Sequence, residues 1–254
     1  MKKIILSISI TFILILSLYV YSQENSLTGE EIMKKVDENA FYEKIEYRGK
    51  MIIKKGDKSR FKTMHVYAEG EEKALIEFTN PGDAGTKYLK LSNELWIYFP
   101  DAEEIVKISG HMLRESMMGS DFSYEDMMEN EKLLEKYDVD VIGSEIVKQA
   151  EEERSCYVLE LNAKEKDVTY AKRKVWVDKE RFVVLKGQLF ALSGKLLKEM
   201  VVNKVQKYDN RYFATELVMT NKLIDDSSTV FQMEEIDFDV DFPDRIFSKR
   251  SLER

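Results

Sequence analysis

The stretch from Ser116 to Met128, SMMGSDFSYEDMM, gathers most of the side chains in this sequence that are equipped for chemistry. Ser120 offers a hydroxyl, Asp121, Glu125 and Asp126 offer carboxylates, and His111 lies just upstream. Three chemistries are open to them. With Ser120 as nucleophile, His111 as base and Asp121 or Asp126 as orienter, they compose a lipid-ester hydrolase, because a triad is assembled from any chain order. The G-x-S-x-G elbow that presents such a serine is missing, however. The three carboxylates bind calcium if they converge, but at these spacings they also suit a helix N-terminus, where the macrodipole favours acids. The third chemistry is packing. Met117, Met118, Met127 and Met128 carry flexible, polarisable thioethers that line surfaces fitting variable apolar partners.

Other cofactor and metal chemistry has little to work with. His65 and His111 fall in different elements and Cys156 is the single cysteine, so neither a zinc site of the usual ligands nor an internal disulfide is expected. Phosphate-binding and dinucleotide-binding glycine fingerprints are missing too. The expectation is no metal and no cofactor.

Local signals set the elements that hold this stretch. Met112, Leu113, Ser116 and Met117 recur at helical spacing over His111–Met118, and Gly119 stops that helix. Ser123 caps a second helix, with Asp126 completing a capping box, and the apolar pattern runs to about Tyr137. Gly119 is thereby the candidate hinge, and Ser123 with Asp126 the candidate cap, of a helical insertion. Upstream, Thr28 and Glu31 form another capping box, Leu27 and Ile32 a hydrophobic staple, and the helix continues to Ala40.

Everything else alternates with period two. Short strands follow one another from Tyr47 to Ile108 and again from Val139 nearly to the end. Turn chemistry such as Lys55-Gly56-Asp57 and Asn80-Pro81-Gly82-Asp83 separates them. Short turns without crossover helices predict an antiparallel meander in one domain. From Phe182 to Leu192 both faces are apolar, which suits either a curved sheet holding a core or ligand in its bend or a sheet covered on one side only.

Residues 1–22 read as a secretory signal peptide, with Lys2 and Lys3 ahead of the apolar run Ile4–Val20 and a cleavage point near Ser22. The alternative is a retained anchor. Cleavage removes two lysines and no acid, taking the net charge from −8 to −10 and leaving a single domain over residues 23–254. Such an acidic balance argues against nucleic acid and anionic lipid surfaces as partners.

Several segments together carry a resemblance: Pro81–Thr86 (PGDAGT), Tyr88-Leu89, Trp96–Pro100, Ile108-Ser109 and above all Gly119–Asp126 (GSDFSYED). In this order they resemble the outer-membrane lipoprotein-sorting proteins, relatives of the LolA and LolB carriers, over nearly all of Leu27–Phe247. The resemblance implies an unclosed, strongly bent antiparallel β-barrel, here of about 10–12 strands, with helices covering the concave side. It implies a non-enzymatic, monomeric periplasmic carrier of lipoprotein acyl chains or lipid, working between an inner-membrane transporter and an outer-membrane acceptor. On that reading the apolar cavity is lined by Trp96 or Tyr98, by Met112, Met117, Met118 and Phe122, and by some of Phe213, Leu217 and Met219. An accessory protein that binds protein rather than lipid, and the ester hydrolase, are the alternatives.

Overall fold

The computed structural model describes residues 27–128, 133–166 and 168–253. The signal peptide expected over residues 1–22 lies outside them. Helix α1 (Gly29–Ala40) opens the fold and is built as its sequence dictates. The Thr28 hydroxyl accepts from the Glu31 backbone N–H at 3.2 Å, and the Glu31 carboxylate accepts from the Thr28 N–H at 2.8 Å. Ile32 and Met33 point into the protein and are fully buried, with Leu27 and Val36 beside them.

Six strands follow as a meander: β1 (Lys44–Lys55), β2 (Lys58–Glu69), β3 (Lys73–Phe78), β4 (Lys87–Leu91), β5 (Glu94–Phe99) and β6 (Glu104–Ile108). Residues 109–128 and 133–136 then form a strap of short helical turns. Seven more strands complete the sheet: β7 (Tyr137–Gln149), β8 (Glu152–Ala163), β9 (Lys172–Asp178), β10 (Val184–Phe190), β11 (Leu196–Tyr208), β12 (Arg211–Asn221) and β13 (Ser227–Asp237). All thirteen join one antiparallel sheet in the order β6-β5-β4-β3-β2-β1-β13-β12-β11-β10-β9-β8-β7. The two meanders therefore meet where β1 pairs with β13, for example Met51 opposite Phe231. β6 and β7 are left as the edges, and the sheet does not close. The strap runs from one edge to the other.

Strand parity decides what each face holds. Met51, Ile53, Met64, Val66, Ile76, Phe78, Tyr88, Leu95, Ile97 and Ile108 form one buried cluster under the strap. α1 covers the neighbouring patch of Leu159, Leu161, Val175 and Val177, where the strap residues Leu133 and Leu134 join it. The opposite face of β3 to β6 is covered by the C-terminal segment, whose Phe242, Phe247 and Leu252 pack on Leu75 and Leu89. β3, β4 and β5 are thus sandwiched on both sides.

The strap departs from the helix expected over His111–Met118. Two 3-10 turns stand there, Gly110–Arg114 and Met117–Gly119, with Glu115 and Ser116 extended between them. The physical reason is a reversal: Ser116 bridges to Ser123 as an antiparallel pair, which a continuous helix cannot allow. The second helix is confined to α2 (Tyr124–Met128) and α3 (Leu133–Lys136), and Tyr137 already begins β7. The short α4 (Lys249–Leu252) ends the fold.

The start of α1 generates a test. A Cβ on Gly29 would stand 2.6 Å from the Val139 carbonyl oxygen of β7, so the helix docks only because this residue has no side chain. Alanine ordinarily stabilises a helix relative to glycine by about 1 kcal/mol. Gly29→Ala should reverse that sign and cost about 1–3 kcal/mol through overpacking, read from urea unfolding.

Candidate functional site

The strap lays Met112, Leu113, Met117, Met118, Phe122, Tyr124, Met127 and Met128 on the sheet. Met117 is the most deeply placed, 8% exposed. The Phe122 and Phe231 rings meet edge to face at 6.4 Å, and Tyr88 and Tyr124 approach at 5.9 Å. Burial is the first cause that raises the Tyr88 phenol far above its ordinary range, with Tyr124 next. Each such side chain removed from water is worth about 1.5–3 kcal/mol.

Polar fasteners hold this apolar layer in place. Asp121 is buried, and its carboxylate accepts from the Thr229 hydroxyl at 2.6 Å, from the Ser227 hydroxyl and from the Asn221 backbone N–H at 3.3 Å. Its own N–H donates to the Thr229 oxygen at 2.9 Å. Four bonds therefore tie one strap residue to the end of β12 and the start of β13. Asp126 makes the second fastener: it accepts from the Ser123 N–H at 2.7 Å, from the Tyr170 hydroxyl at 2.6 Å and from the Lys198 ammonium of β11. Ser123 returns a cap bond, its hydroxyl accepting from the Asp126 N–H at 3.3 Å. Glu125 accepts from Thr169 at 2.6 Å. Asp121 thus turns to β12 and β13, whereas Glu125 and Asp126 both reach the loop that holds Thr169 and Tyr170.

Two hollows lie along the strap. One, of about 190 Å³, is enclosed by the end of α1 (Ala40, Phe41, Tyr42), the inner residues Tyr47, Val66, Ala68, Ala74 and Ile76 of β1–β3, and Met127 of the strap. It exists because Ala68 and Ala74 sit opposite each other in the β2–β3 ladder and leave space that larger residues would fill. The other, of about 400 Å³, is more polar and lies between Leu113, Glu125 and Met128 of the strap and Tyr137, Tyr170 and Arg173. Glu71 stands at the rim of the first hollow. On α1, Asp37 feels both burial and the Glu71 charge, in that order, and its carboxyl is raised from 3.8 to about 6.

Of the residues expected to line a cavity, the structure brings four together: Met112, Met117, Met118 and Phe122. Met117 belongs to the buried cluster under the strap, and Met112, Met118 and Phe122 pack against it. Trp96 and Tyr98 do share a face, as parity requires, but it is the opposite one, packed by the C-terminal segment with the Lys249 ammonium 3.3 Å from the centre of the Trp96 ring. Phe213 meets Phe238 edge to face at 5.6 Å, Leu217 joins the cluster around Val202, and Met219 is buried opposite Thr229. Gly119 has φ +75°, as a stop requires, and Met118 before it is also left-handed at φ +53°. Ser120 is buried, and its hydroxyl donates to the Met117 carbonyl at 2.7 Å, whereas His111 is exposed on the first 3-10 turn. No hydrogen bond joins the two among the described residues. Sequence reasoning missed the residues around the first hollow, because the opposition of Ala68 and Ala74 that opens it appears only once β2 and β3 are paired.

A family model described as uncharacterized protein-like matches residues 70–254. No curated protein matches the chain. Among solved structures, a DUF1329 family protein from Desulfovibrio piger is 25% identical with a TM-score of 0.81, over 88% of this chain and 97% of that one. A putative outer membrane lipoprotein-sorting protein domain from Vibrio parahaemolyticus is 26% identical with a TM-score of 0.78, over 89% and 98%. A LolA superfamily protein from Nitrosomonas europaea, 22% identical with a TM-score of 0.70 over 89% and 100%, shares the fold.

Two outcomes are expected from these fasteners and charges. Asp121→Ala strands the Ser227 and Thr229 hydroxyls and should cost about 3 kcal/mol in urea unfolding, with Asp121→Asn, which keeps one accepting oxygen, costing less. Equal and negligible effects would show that the strap needs no tether. For Asp37, the folded state prefers the neutral acid, so its contribution to stability is full below 3.8 and is lost as pH rises through about 6. Asp37→Asn should therefore raise Tm at pH 7.5 and bring no gain at pH 4.

Proposed function

We propose that the chain, which belongs to the family whose model matches residues 70–254 and is similar to an outer membrane lipoprotein-sorting protein domain, is a LolA-like carrier that takes the acyl chains of lipoproteins or lipids across the space between two membranes. The observation that supports this reading most is the strap: a methionine-rich segment, joined to both edges of an unclosed sheet, packed on one of its apolar faces. An acyl chain of about 16 carbons costs roughly 12 kcal/mol to leave in water, so a carrier must give it a covered apolar bed. Hollows that serve small ligands usually hold about 300–1,000 Å³, more than the first hollow offers. Cargo that enters the first hollow therefore displaces strap side chains such as Met127.

Displacement has an energetic advantage. The acyl chain takes over the apolar sheet surface that Met112, Met117 and Met127 cover, so the exchange swaps one set of apolar contacts for another. Affinity stays moderate, and the returning strap helps expel the load. Thioether side chains, unbranched and flexible, suit repeated departure and return. On this account the chain acts by binding rather than catalysis, in the periplasm, after export directed by its N-terminal segment. The partners are a donor at the inner membrane and an acceptor at the outer one.

Mass spectrometry of the natively purified protein tests this reading, with co-purified acyl lipid as the expected result. Ala74→Phe places a ring in the first hollow and should lower bound acyl lipid, or uptake of a fluorescent acylated peptide, on the order of tenfold. Folding should survive, since the space is already there. A protein that neither co-purifies with acyl lipid nor takes up the peptide is not this carrier.

A further inference from the structure

Net charge conceals a cationic rim on one end of the sheet. Three turns stand side by side there: residues 54–61 around the β1–β2 turn, 191–195 between β10 and β11, and 222–226 between β12 and β13. They are stitched together by the Gly56 N–H donating to the Asp226 carbonyl at 2.9 Å and by the Lys222 N–H donating to the Leu197 carbonyl at 2.8 Å. The tips expose Lys54, Lys55, Lys58, Arg60, Lys195 and Lys222 against Asp57, Asp225 and Asp226. Lys222 also reaches Glu199 at 3.2 Å. This excess of positive charge sits on a chain whose net charge is −8.

The same tips carry four large apolar side chains in water: Leu192, 78% exposed, Phe61, 60% exposed, Leu223 and Ile224. Single exposed apolar residues are ordinary, but four on adjoining turns, interleaved with lysines, are a surface with a purpose. Neither property alone names the partner. Together they do, because anionic lipid head groups attract the cations while the interface below receives the apolar tips. We propose that this rim docks the protein on an anionic phospholipid bilayer, with Leu192, Phe61, Leu223 and Ile224 entering the head-group layer.

Placement adds a consequence. The fasteners of the strap root directly behind these tips: Asn221, Ser227 and Thr229 hold Asp121 at the base of the β12–β13 turn, and Lys198 holds Asp126 at the base of the β10–β11 turn. A Cβ on Gly119 of the strap would stand 3.0 Å from the Arg60 guanidinium. Docking thus acts on the turns that pin the strap. This consequence rests on the carrier reading, whereas the docking itself does not.

The test places an environment-sensitive fluorophore on the full chain at Leu223→Cys, leaving the fully buried Cys156 in place. A second label at Ile146→Cys, exposed near the far end of β7, serves as the control. Vesicles of phosphatidylcholine mixed with phosphatidylglycerol should shift the emission at position 223 to the blue and leave position 146 unchanged. High salt should abolish the shift. Replacing Lys54, Lys55 and Lys58 by Glu should weaken vesicle binding at position 223 roughly 100-fold or more. The proposal is overturned if position 223 stays unshifted, if both labels shift alike, or if phosphatidylcholine alone produces the full effect. A shift given by polyglutamate and not by vesicles also overturns it, in favour of an acidic protein partner. Acyl-lipid content measured on the same charge-reversed protein separates the two readings, since docking fails there while cargo in the hollow remains.

Discussion

A buried carboxylate decides how this molecule is held together. Asp121 comes from the strap, yet its hydrogen-bond partners, Asn221, Ser227 and Thr229, belong to two strands at the middle of the sheet. Burying such a group is costly unless every lone pair is met, and here hydroxyl and amide donors meet it. The apolar strap residues supply most of the favourable area, but greasy contact is non-directional. Asp121 fixes the register of that contact. Asp126 with Lys198 and Tyr170 does the same a short distance along the chain.

The topology explains why a strap needs fixing at all. Two meanders grow from the β1–β13 pairing and end at β6 and β7, which do not pair with each other. A closed barrel would satisfy both edges and seal its interior. Here the interior is sealed by a peptide segment, and a segment can leave where a sheet cannot. The opposite face shows the contrast: the C-terminal segment buries Phe242, Phe247 and Leu252 against β3 to β5 and adds a cation over the Trp96 ring. The C-terminal cover is held from the sheet by the Lys44 and Lys87 ammonium groups, which donate to the Phe242 and Ser251 carbonyls, whereas the strap is pinned by its own buried carboxylates.

Much of this was legible in the residues. The Thr28 and Ser123 boxes, the Leu27–Ile32 staple and the alternation of Tyr47, Met51 and Ile53 are local signals, and local physics decides them. The GSDFSYED segment marked the functional stretch, although Asp121 and Asp126 serve as distant tethers as well as local caps. Three features were not legible. Parity places Trp96 and Tyr98 on one face of β5 but cannot say which, because both faces of that strand are buried, one of them by a tail far along the sequence. Methionines at helical spacing over His111–Met118 read as a helix, and the Ser116–Ser123 pairing overrode that pattern. The cationic rim is assembled from turns far apart in sequence, so a net charge averages it away. Thirteen strands stand where the turn pattern gives about 10–12, the same meander with finer division.

Hydrogen–deuterium exchange resolved along the chain, with and without an acylated peptide, tests the central claim that a tethered strap opens over a sheet that stays folded. The account predicts that exchange across residues 110–128 rises with the peptide bound, while β1 to β5 remain protected as in the free protein. Strap and sheet exchanging together, at one rate that the peptide leaves unchanged, would contradict it.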